Sequence, residues 1–242
     1  MLHAESVTRR FGNVTAIHSL SLNIQPGELF CLLGANGAGK TTTINLFLGF
    51  LAPDEGTVSV GGIEPSVDPV GARKQLAFIS ENVAIYPQLT GLENVRLFCA
   101  MGGSTHSDLE LTQLLERAGL SREQMHRQVH GYSKGMRQKV GLAIAYARGA
   151  GALLLDEPLS GLDPSAANDF CAELDKLRAG GACILMTTHD LFRAKELAGT
   201  IGIMRGGRLV EQVDAQAIDA HDLERLYLSH MRHADRDVGA TP

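Results

Sequence analysis

The stretch Gly34-Ala-Asn-Gly-Ala-Gly-Lys-Thr41 follows the continuous apolar run Leu29-Phe-Cys-Leu-Leu33 and leads into a helical pattern from Lys40 to Phe50. A short apolar run of this kind is typical of a strand that is buried on both faces. Between such a strand and a helix, the pattern Gly-x-x-x-x-Gly-Lys-Thr indicates a phosphate-binding loop, and the context disfavours an ordinary glycine-rich turn. The sequence therefore predicts an α/β core with a phosphate site at the end of this strand.

The residue types of this loop suit that chemistry. Glycines allow backbone N–H groups to close around phosphate oxygens, Lys40 places a positive charge on the outer phosphates, and the Thr41 hydroxyl can ligate Mg²⁺. We therefore predict that phosphate is bound by the loop and the first residues of the helix, namely Gly34, Asn36, Gly37, Ala38, Gly39, Lys40, Thr41 and Thr42.

Two acids, Asp156 and Glu157, directly follow the apolar run Leu153–Leu155. A carboxylate at the end of a buried strand needs a partner, and Mg²⁺ is a natural one for Asp156. Glu157 can polarise a water that attacks a phosphoryl group. The alternative is a solvated strand end before a proline turn, and the nearby phosphate-binding loop makes that interpretation the weaker one.

A third motif, Tyr132-Ser-Lys-Gly-Met136, lies between these two in the chain. Ser133 is a good N-cap for a helix in which the apolar residues share one face: Met136, Val140, Ala143, Ile144 and Ala147. The start of a helix is itself an anion-binding site. The sequence therefore predicts a second surface that faces phosphate.

Composition limits the class of protein. The chain has 242 residues and a net charge of −5, which gives no support for a general nucleic-acid surface. Its four cysteines form no Cys-x-x-Cys pair and are expected to be reduced core thiols. Neither a signal peptide nor an apolar stretch of roughly 20 residues is evident, so we expect a soluble, cytoplasmic protein.

Hydrophobic patterning predicts the other elements of the fold. Alternation over Val14–Ile24 indicates a strand, as do Thr57–Val60, Ala77–Ile79 and Cys183–Met186, and residues 201–211 resemble a hairpin around Gly206-Gly207. A helix is predicted over Pro164–Ala179, and residues 90–130 are mostly helix-like. The amphipathic segment Asp222–Met231 is expected to dock on its own domain, with a membrane or partner helix as the alternative. From Arg232 onward the tail is polar and expected to be loose.

The three motifs, in this order, resemble the nucleotide-binding subunit of ATP-binding-cassette (ABC) transporters over residues 1–212. The family's signature is commonly Leu-Ser-Gly-Gly-Gln, of which Ser133 and Gly135 are retained here. The resemblance implies an α/β P-loop NTPase core with an antiparallel β subdomain and a helical subdomain at about residues 82–150. The C-terminal helix and flexible tail over 213–242 lie beyond the part that the resemblance covers and are predicted from the amphipathic and polar patterns described above. The resemblance also implies that Ser133 and Gly135 touch the γ-phosphate of ATP bound to a second copy.

Three further positions acquire roles from this resemblance. Ser160-Gly-Leu-Asp163 is similar to the D-loop, which crosses the dimer interface, so Asp163 joins the predicted nucleotide-binding residues. His189, after Thr187-Thr188, resembles the switch histidine that senses the γ-phosphate, although a lone histidine of this kind is more often structural. Phe11 matches the aromatic residue that stacks on adenine, with a plain core aromatic as the alternative.

Glu81 is where the sequence departs from the family most clearly. The family usually has Gln at this strand end, where it contacts Mg²⁺; a carboxylate can also ligate Mg²⁺, and the alternative is a solvated loop acid. The predicted metal ligands are thus Thr41, Glu81 and Asp156, and the predicted catalytic residues are Glu157, His189 and Lys40. His126 and His130 lack a further ligand nearby and are interpreted as a surface pair.

The resemblance implies an ATPase that uses ATP and Mg²⁺, forms a homodimer and drives transport through separate membrane permease subunits. It would then lie on the inner face of the cell membrane, held there by the permease. The segment Tyr86-Pro-Gln-Leu-Thr-Gly-Leu-Glu-Asn94 resembles exporter-type ATPases for drugs, polysaccharides and ions, and the ATPase that serves copper-site maturation of nitrous-oxide reductase.

Two other classes of function are weighed against transport. A soluble ABC ATPase that remodels nucleic acid or ribosomes usually carries long coiled coils or two cassettes, and this chain has neither. A regulatory ATP-binding module without turnover is disfavoured because Lys40, Asp156, Glu157 and His189 are all intact.

Overall fold

The computed structural model describes residues 1–232, which form two sheets and surrounding helices. The tail predicted to be loose beyond Arg232 lies outside the described residues. A three-stranded antiparallel sheet has the order β2-β1-β4, and a six-stranded sheet has the order β5-β6-β7-β3-β8-β9. The strands are β1 Leu2–Phe11, β2 Val14–Ile24, β3 Leu29–Leu33, β4 Glu55–Val60, β5 Leu76–Ile79, β6 Ala152–Asp156, β7 Cys183–Thr188, β8 Thr200–Arg205 and β9 Arg208–Asp214.

In the larger sheet, all neighbouring strands pair in parallel except the β8–β9 hairpin. The whole of β3 is buried, because each of its faces packs on a different core. Leu29, Cys31 and Leu33 belong to a core shared with the helices, whereas Phe30 and Leu32 belong to a core shared with the antiparallel sheet. Side chains alternate between the faces of a strand, so one continuous apolar run serves both cores.

Nine α-helices occur within residues 1–232, and capping groups set several of their boundaries. They are α1 Lys40–Phe47, α2 Pro69–Lys74, α3 Gly91–Met101, α4 Asp108–Arg117, α5 Arg122–Met125, α6 Lys134–Arg148, α7 Pro164–Ala179, α8 Leu191–Leu197 and α9 Ala220–Arg232. Thr90 with Glu93, and Ser107 with Glu110, form capping boxes at the starts of α3 and α4.

The helices α3 to α6 lie between β5 and β6 in the chain, where the sequence predicts a helical insertion. The predicted helix from Lys40 to Phe50 is shorter than expected, since it ends at Phe47, just before Gly49 at a φ of +69°. Sequence patterning did not predict β1, α2 or α8, and it included α5 only within the helix-like residues 90–130. In β1 the register shifts after Ala4, and Ser6 has a φ of +49°, so the apolar residues lose the two-residue period of a regular strand.

The amphipathic helix α9 packs on its own domain. Leu223 is fully buried in the helical core, and Tyr227 packs partly buried against the same core. The predicted docking of this segment is therefore confirmed. All four cysteines are free and buried, as predicted. None of the helices in the described part of the chain has the length and hydropathy that a bilayer-spanning segment needs.

A matched pair of phenylalanines tests where the core lies. Phe170 of α7 is 1% exposed, whereas Phe192 of α8 is 67% exposed. We expect Phe170→Ala to lower the free energy of unfolding by about 3–5 kcal/mol, because it removes buried area and leaves a cavity. Phe192→Ala should change it by no more than about 0.5 kcal/mol. Urea titrations followed by circular dichroism measure both, and equal losses would contradict the packing of α7.

Candidate active site

The loop between β3 and α1 is held in a shape that requires glycine. Gly39 has a φ of +106°, and a Cβ atom there would lie 2.8 Å from the carbonyl oxygen of Ala16. At Gly34, a Cβ atom would lie 2.5 Å from the carbonyl oxygen of Met204. Because Gly39 is the N-cap of α1 and offers no side chain, the first N–H groups of this helix have no side-chain cap. Such a helix start is suited to binding an anion.

This loop forms one wall of a cleft of about 510 Å³. Ten of the predicted site residues line this cleft: Asn36, Gly37, Ala38, Gly39, Lys40, Thr41, Thr42, Glu81, Asp156 and Glu157. Sequence reasoning missed the opposite wall, which residues 14–16 of β2 and Gly206-Gly207 supply. The sequence indicates only a hairpin turn at this glycine pair. In the structure, the N–H of Gly207 donates to the carbonyl oxygen of Ala38 at 2.9 Å and so connects the turn to the phosphate loop.

Lys40 is only 6% exposed, so its charge depends on nearby acceptors. Its Nζ donates to the carbonyl oxygens of Gly34 at 2.6 Å and Ala35 at 3.3 Å. The same Nζ lies 3.2 Å from Oε1 of Glu157. A buried ammonium needs such partners to offset its lost hydration. Lys40 is thus held beside the loop, within reach of an anion in the cleft.

Asp156 stands between two hydroxyl groups at the end of β6. The Thr41 hydroxyl donates to its Oδ2 at 3.0 Å, and the Thr187 hydroxyl donates to its Oδ1 at 2.5 Å. Within residues 1–232, no three His, Cys, Asp or Glu side chains form a metal-binding group. Mg²⁺ is usually held by one or two carboxylates with phosphate oxygens and waters, so the oxygen donors Thr41, Asp156 and Glu81 suit this ion.

Glu157 is the most constrained acid of the cleft. Its φ is +49°, which is rare for a residue with a side chain and is held by hydrogen bonds from its N–H to the carbonyl and hydroxyl oxygens of Thr187. Its Oε2 lies 2.9 Å from Nδ1 of His189. Its Oε1 is buried and faces Lys40 at ion-pair distance, without hydrogen-bond geometry. This carboxylate is therefore oriented by His189 and placed beside Lys40.

Glu81 follows β5 and reaches the cleft with a side chain that is 46% exposed. Hydrogen bonds from the Ser160 hydroxyl and from the Lys134 ammonium lower the pKa of its carboxyl. Both donors were missed by sequence reasoning as partners of this acid. Glu81 is therefore an ionised, partnered group in the cleft rather than a purely solvated loop acid.

The remaining predicted residues do not line this cleft, although Gly34 begins the loop that forms its wall. His189 contacts it through Glu157. Ser133 is the N-cap of α6, accepting from the N–H of Met136, and Asp163 is the N-cap of α7, accepting from the N–H of Ala166 at 2.9 Å. At Gly135 a Cβ atom would lie 3.0 Å from Cβ of Ala166, so glycine permits the close approach of α6 and α7. One chain does not bring the signature segment into the cleft.

Phe11 is 46% exposed, which excludes the alternative of a core aromatic. The Arg9 guanidinium carbon lies 4.9 Å from the centre of its ring. His126 and His130 are both exposed, as expected for a surface pair. The stacking of Phe11 on adenine stays a prediction, because Phe11 lies near the cleft in sequence but is not among its lining residues.

Comparisons with known proteins identify the family. The family model described as ABC transporter matches residues 17–160. The bacitracin transport ATP-binding protein BcrA of Enterococcus faecalis is 33% identical over 94% of this chain and 73% of its own length. The spermidine/putrescine import ATP-binding protein PotA of Nitrosomonas europaea is 32% identical over 93% of this chain and 63% of its own length.

A solved structure of an ATP-binding cassette has the same fold. It is a dimer in a post-hydrolysis state bound to ADP and Pi, 25% identical, and the match covers 89% of this chain and 99% of the solved one with a TM-score of 0.79. The cleft described above thus has the architecture of a cassette that hydrolyses ATP. The chain belongs to the ABC transporter family and is an ATP-binding, ATP-hydrolysing subunit of such a transporter.

Proposed function

We propose that this ATPase powers export through permease subunits that are separate polypeptides. The observation that carries the catalytic part is the meeting of Lys40, Asp156 and Glu157 in one cleft beside the glycine loop. The exporter-like segment from Tyr86 to Asn94 supports export by an ATPase of the drug, polysaccharide and ion efflux kind over import of the kind named for the polyamine relative, and the bacitracin transport relative fits a drug as cargo. Attachment to the permease would hold the chain on the inner face of the cell membrane.

Each side chain of the cleft has a role in this proposal. The loop N–H groups and Lys40 would bind the outer phosphates of ATP, and Thr41, Asp156 and Glu81 would hold Mg²⁺, which would supply positive charge to offset the negative charge of those phosphates. Glu157 accepts a proton from the attacking water as the oxygen of that water bonds to the γ-phosphorus and ADP leaves. His189 positions Glu157, since its Nδ1 lies 2.9 Å from the carboxylate.

Replacing Glu157 separates binding from hydrolysis. We expect Glu157→Gln to slow phosphate release by about 10²- to 10⁴-fold, because an amide cannot accept the proton of the attacking water. Affinity for ATP should be retained, since the phosphate loop and Lys40 are unchanged. Exposed Glu64, which has no contact with the cleft, provides Glu64→Gln as the matched control. Wild-type turnover by purified Glu157→Gln would remove Glu157 from the proposed role.

We further propose that two copies of the chain share each nucleotide. Ser133 and Gly135 lie outside the cleft of their own chain, and the solved cassette dimer shows that members of this family pair. In a two-fold dimer the start of α6 from one copy can face the phosphate loop of the other, which makes two equivalent sites. The closed dimer would be stabilised by the γ-phosphate and released by its hydrolysis.

Mixing two inactive variants tests this shared site. Lys40→Ala should lose ATP affinity at least tenfold, since a charge-assisted contact contributes ~1.5–3 kcal/mol, and Ser133→Arg should block the partner's site. Neither variant alone should hydrolyse ATP. A mixture should recover activity, because each heterodimer contains one site with both elements intact. As a control, Lys40→Ala is mixed with Lys74→Ala, because exposed Lys74 lies outside the cleft. This mixture gives the activity when the partner of Lys40→Ala has an intact signature segment. Full activity of Ser133→Arg alone would refute the shared site.

Isolation from the native cell tests the transport role. A tagged chain carrying Glu157→Gln should purify from detergent extracts with a polytopic membrane protein in a fixed ratio when ATP is present. The same tag on a variant with Tyr86→Ala and Phe98→Ala should recover less of that protein if this surface contacts the permease. The two rings lie 6.2 Å apart, Tyr86 in the segment before α3 and Phe98 within α3. Recovery of nucleic acid or ribosomes instead would favour a remodelling ATPase.

A further inference from the structure

Glu81 and Lys134, which are two of the positions where this sequence differs from the residues usual in the family, contact each other. The Lys134 ammonium donates to Oε1 of Glu81 at 3.2 Å, and the Ser160 hydroxyl donates to the same oxygen at 3.0 Å. Oε2 of Glu81 has no hydrogen-bond partner within residues 1–232. In the family, Gln is usual at the position of Glu81 and glycine is common at that of Lys134, whereas here a carboxylate and an ammonium form a contacting pair.

Lys134 has an electrostatic reason to need this partner. It is the first residue of α6, where the helix dipole is positive and a cation is disfavoured. No acidic residue stands in the first turn of α6 to offset it. The Glu81 carboxylate supplies the missing negative charge, which the amide usual at this position could not do.

The contacts around Glu81 connect three parts of the chain. Gln138 of α6 donates from Nε2 to the carbonyl oxygens of Ser80 and Glu81, at 3.2 Å each, and so fixes the backbone there. Lys134 and Ser160 instead hold the side chain, which also lines the cleft. A change at the Glu81 carboxylate therefore alters the hydrogen bonds made by Lys134 at the start of α6 and by Ser160 in the loop before α7.

We propose that Lys134 is a positioning residue that competes with the divalent cation for Glu81, so that binding of metal and nucleotide loosens the hold of Glu81 on α6 and Ser160. This inference rests on the metal role proposed above for Glu81. Two cations that share one carboxylate repel each other, so each weakens the binding of the other. The coupling is reciprocal: Lys134 lowers metal affinity by the same factor by which metal weakens the pair.

Binding of a non-hydrolysable ATP analogue tests the competition without any turnover. Calorimetry gives the Kd of the analogue with MgCl₂ and with EDTA. The Kd in EDTA divided by the Kd in MgCl₂ measures how much the metal strengthens binding. We expect Lys134→Ala to raise this ratio by about fivefold or more. Glu81→Gln should lower the ratio, because the amide oxygen is a weaker ligand for Mg²⁺. In the Glu81→Gln background, Lys134→Ala should leave the ratio unchanged.

Two controls guard against general effects on α6. Lys134→Arg keeps the charge and should keep the wild-type ratio. Lys139→Ala removes another cation of α6, which pairs with Asp169 at 3.0 Å and does not touch Glu81, and it should also leave the ratio unchanged. If Lys134→Ala shifts the ratio equally in both backgrounds, or in neither, the competition is refuted. If Glu81→Gln leaves the ratio at the wild-type value, the metal role of Glu81 fails and the competition fails with it.

Discussion

The parallel pairing of β6, β7 and β3 determines where all the chemistry of this protein is placed. Asp156 pairs in register with Thr187, and Leu33 pairs with Thr188, so the residues that follow these strands emerge at one edge. Strands buried on both faces are apolar throughout, and polar groups can begin only where the strands end. Binding sites of open parallel sheets form at this edge for that reason. The glycine loop, the two acids and His189 all follow from this single constraint.

Charge balance governs the edge once it is formed. Three carboxylates, Glu81, Asp156 and Glu157, reach the cleft, and Lys40 is the cation that lines it. Hydroxyl groups of Thr41 and Thr187 hold Asp156, and an ion pair with Lys40 holds Glu157. Phosphate alone does not suit this set of charges, because it adds negative charge beside the three carboxylates. A divalent cation alone does not suit it either, because the cation repels Lys40. A nucleotide that arrives with its metal brings both charges together.

Helix boundaries set by neighbouring residues could be predicted from the sequence, whereas contacts between residues far apart in the chain could not. The helix predicted over Pro164–Ala179 has these bounds in the structure, because Pro and the glycine that follows it mark its ends. Asp163 also has a local role that the resemblance did not supply: its carboxylate caps α7, which the pair Asp-Pro could have indicated. The wall made by Gly206-Gly207 could not be predicted, because the two glycines meet the loop only through folding of the β8–β9 hairpin.

The positions of α6 and α7 give a physical reason for pairing of two chains. The N–H groups at the start of α6 form an anion-binding end, yet the serine that caps this helix lies outside the cleft that would hold phosphate in its own chain. Ser133 and Asp163 stand at the starts of adjacent helices, and both hold short polar side chains there. Such an exposed, positively polarised end is satisfied by an anion brought on another molecule. In the dimer proposed above, a second copy would bring one, because its phosphate loop would present the outer end of ATP. Two-fold symmetry would then satisfy both helix ends at once, and in this proposal loss of the γ-phosphate removes the reason for the two copies to stay together.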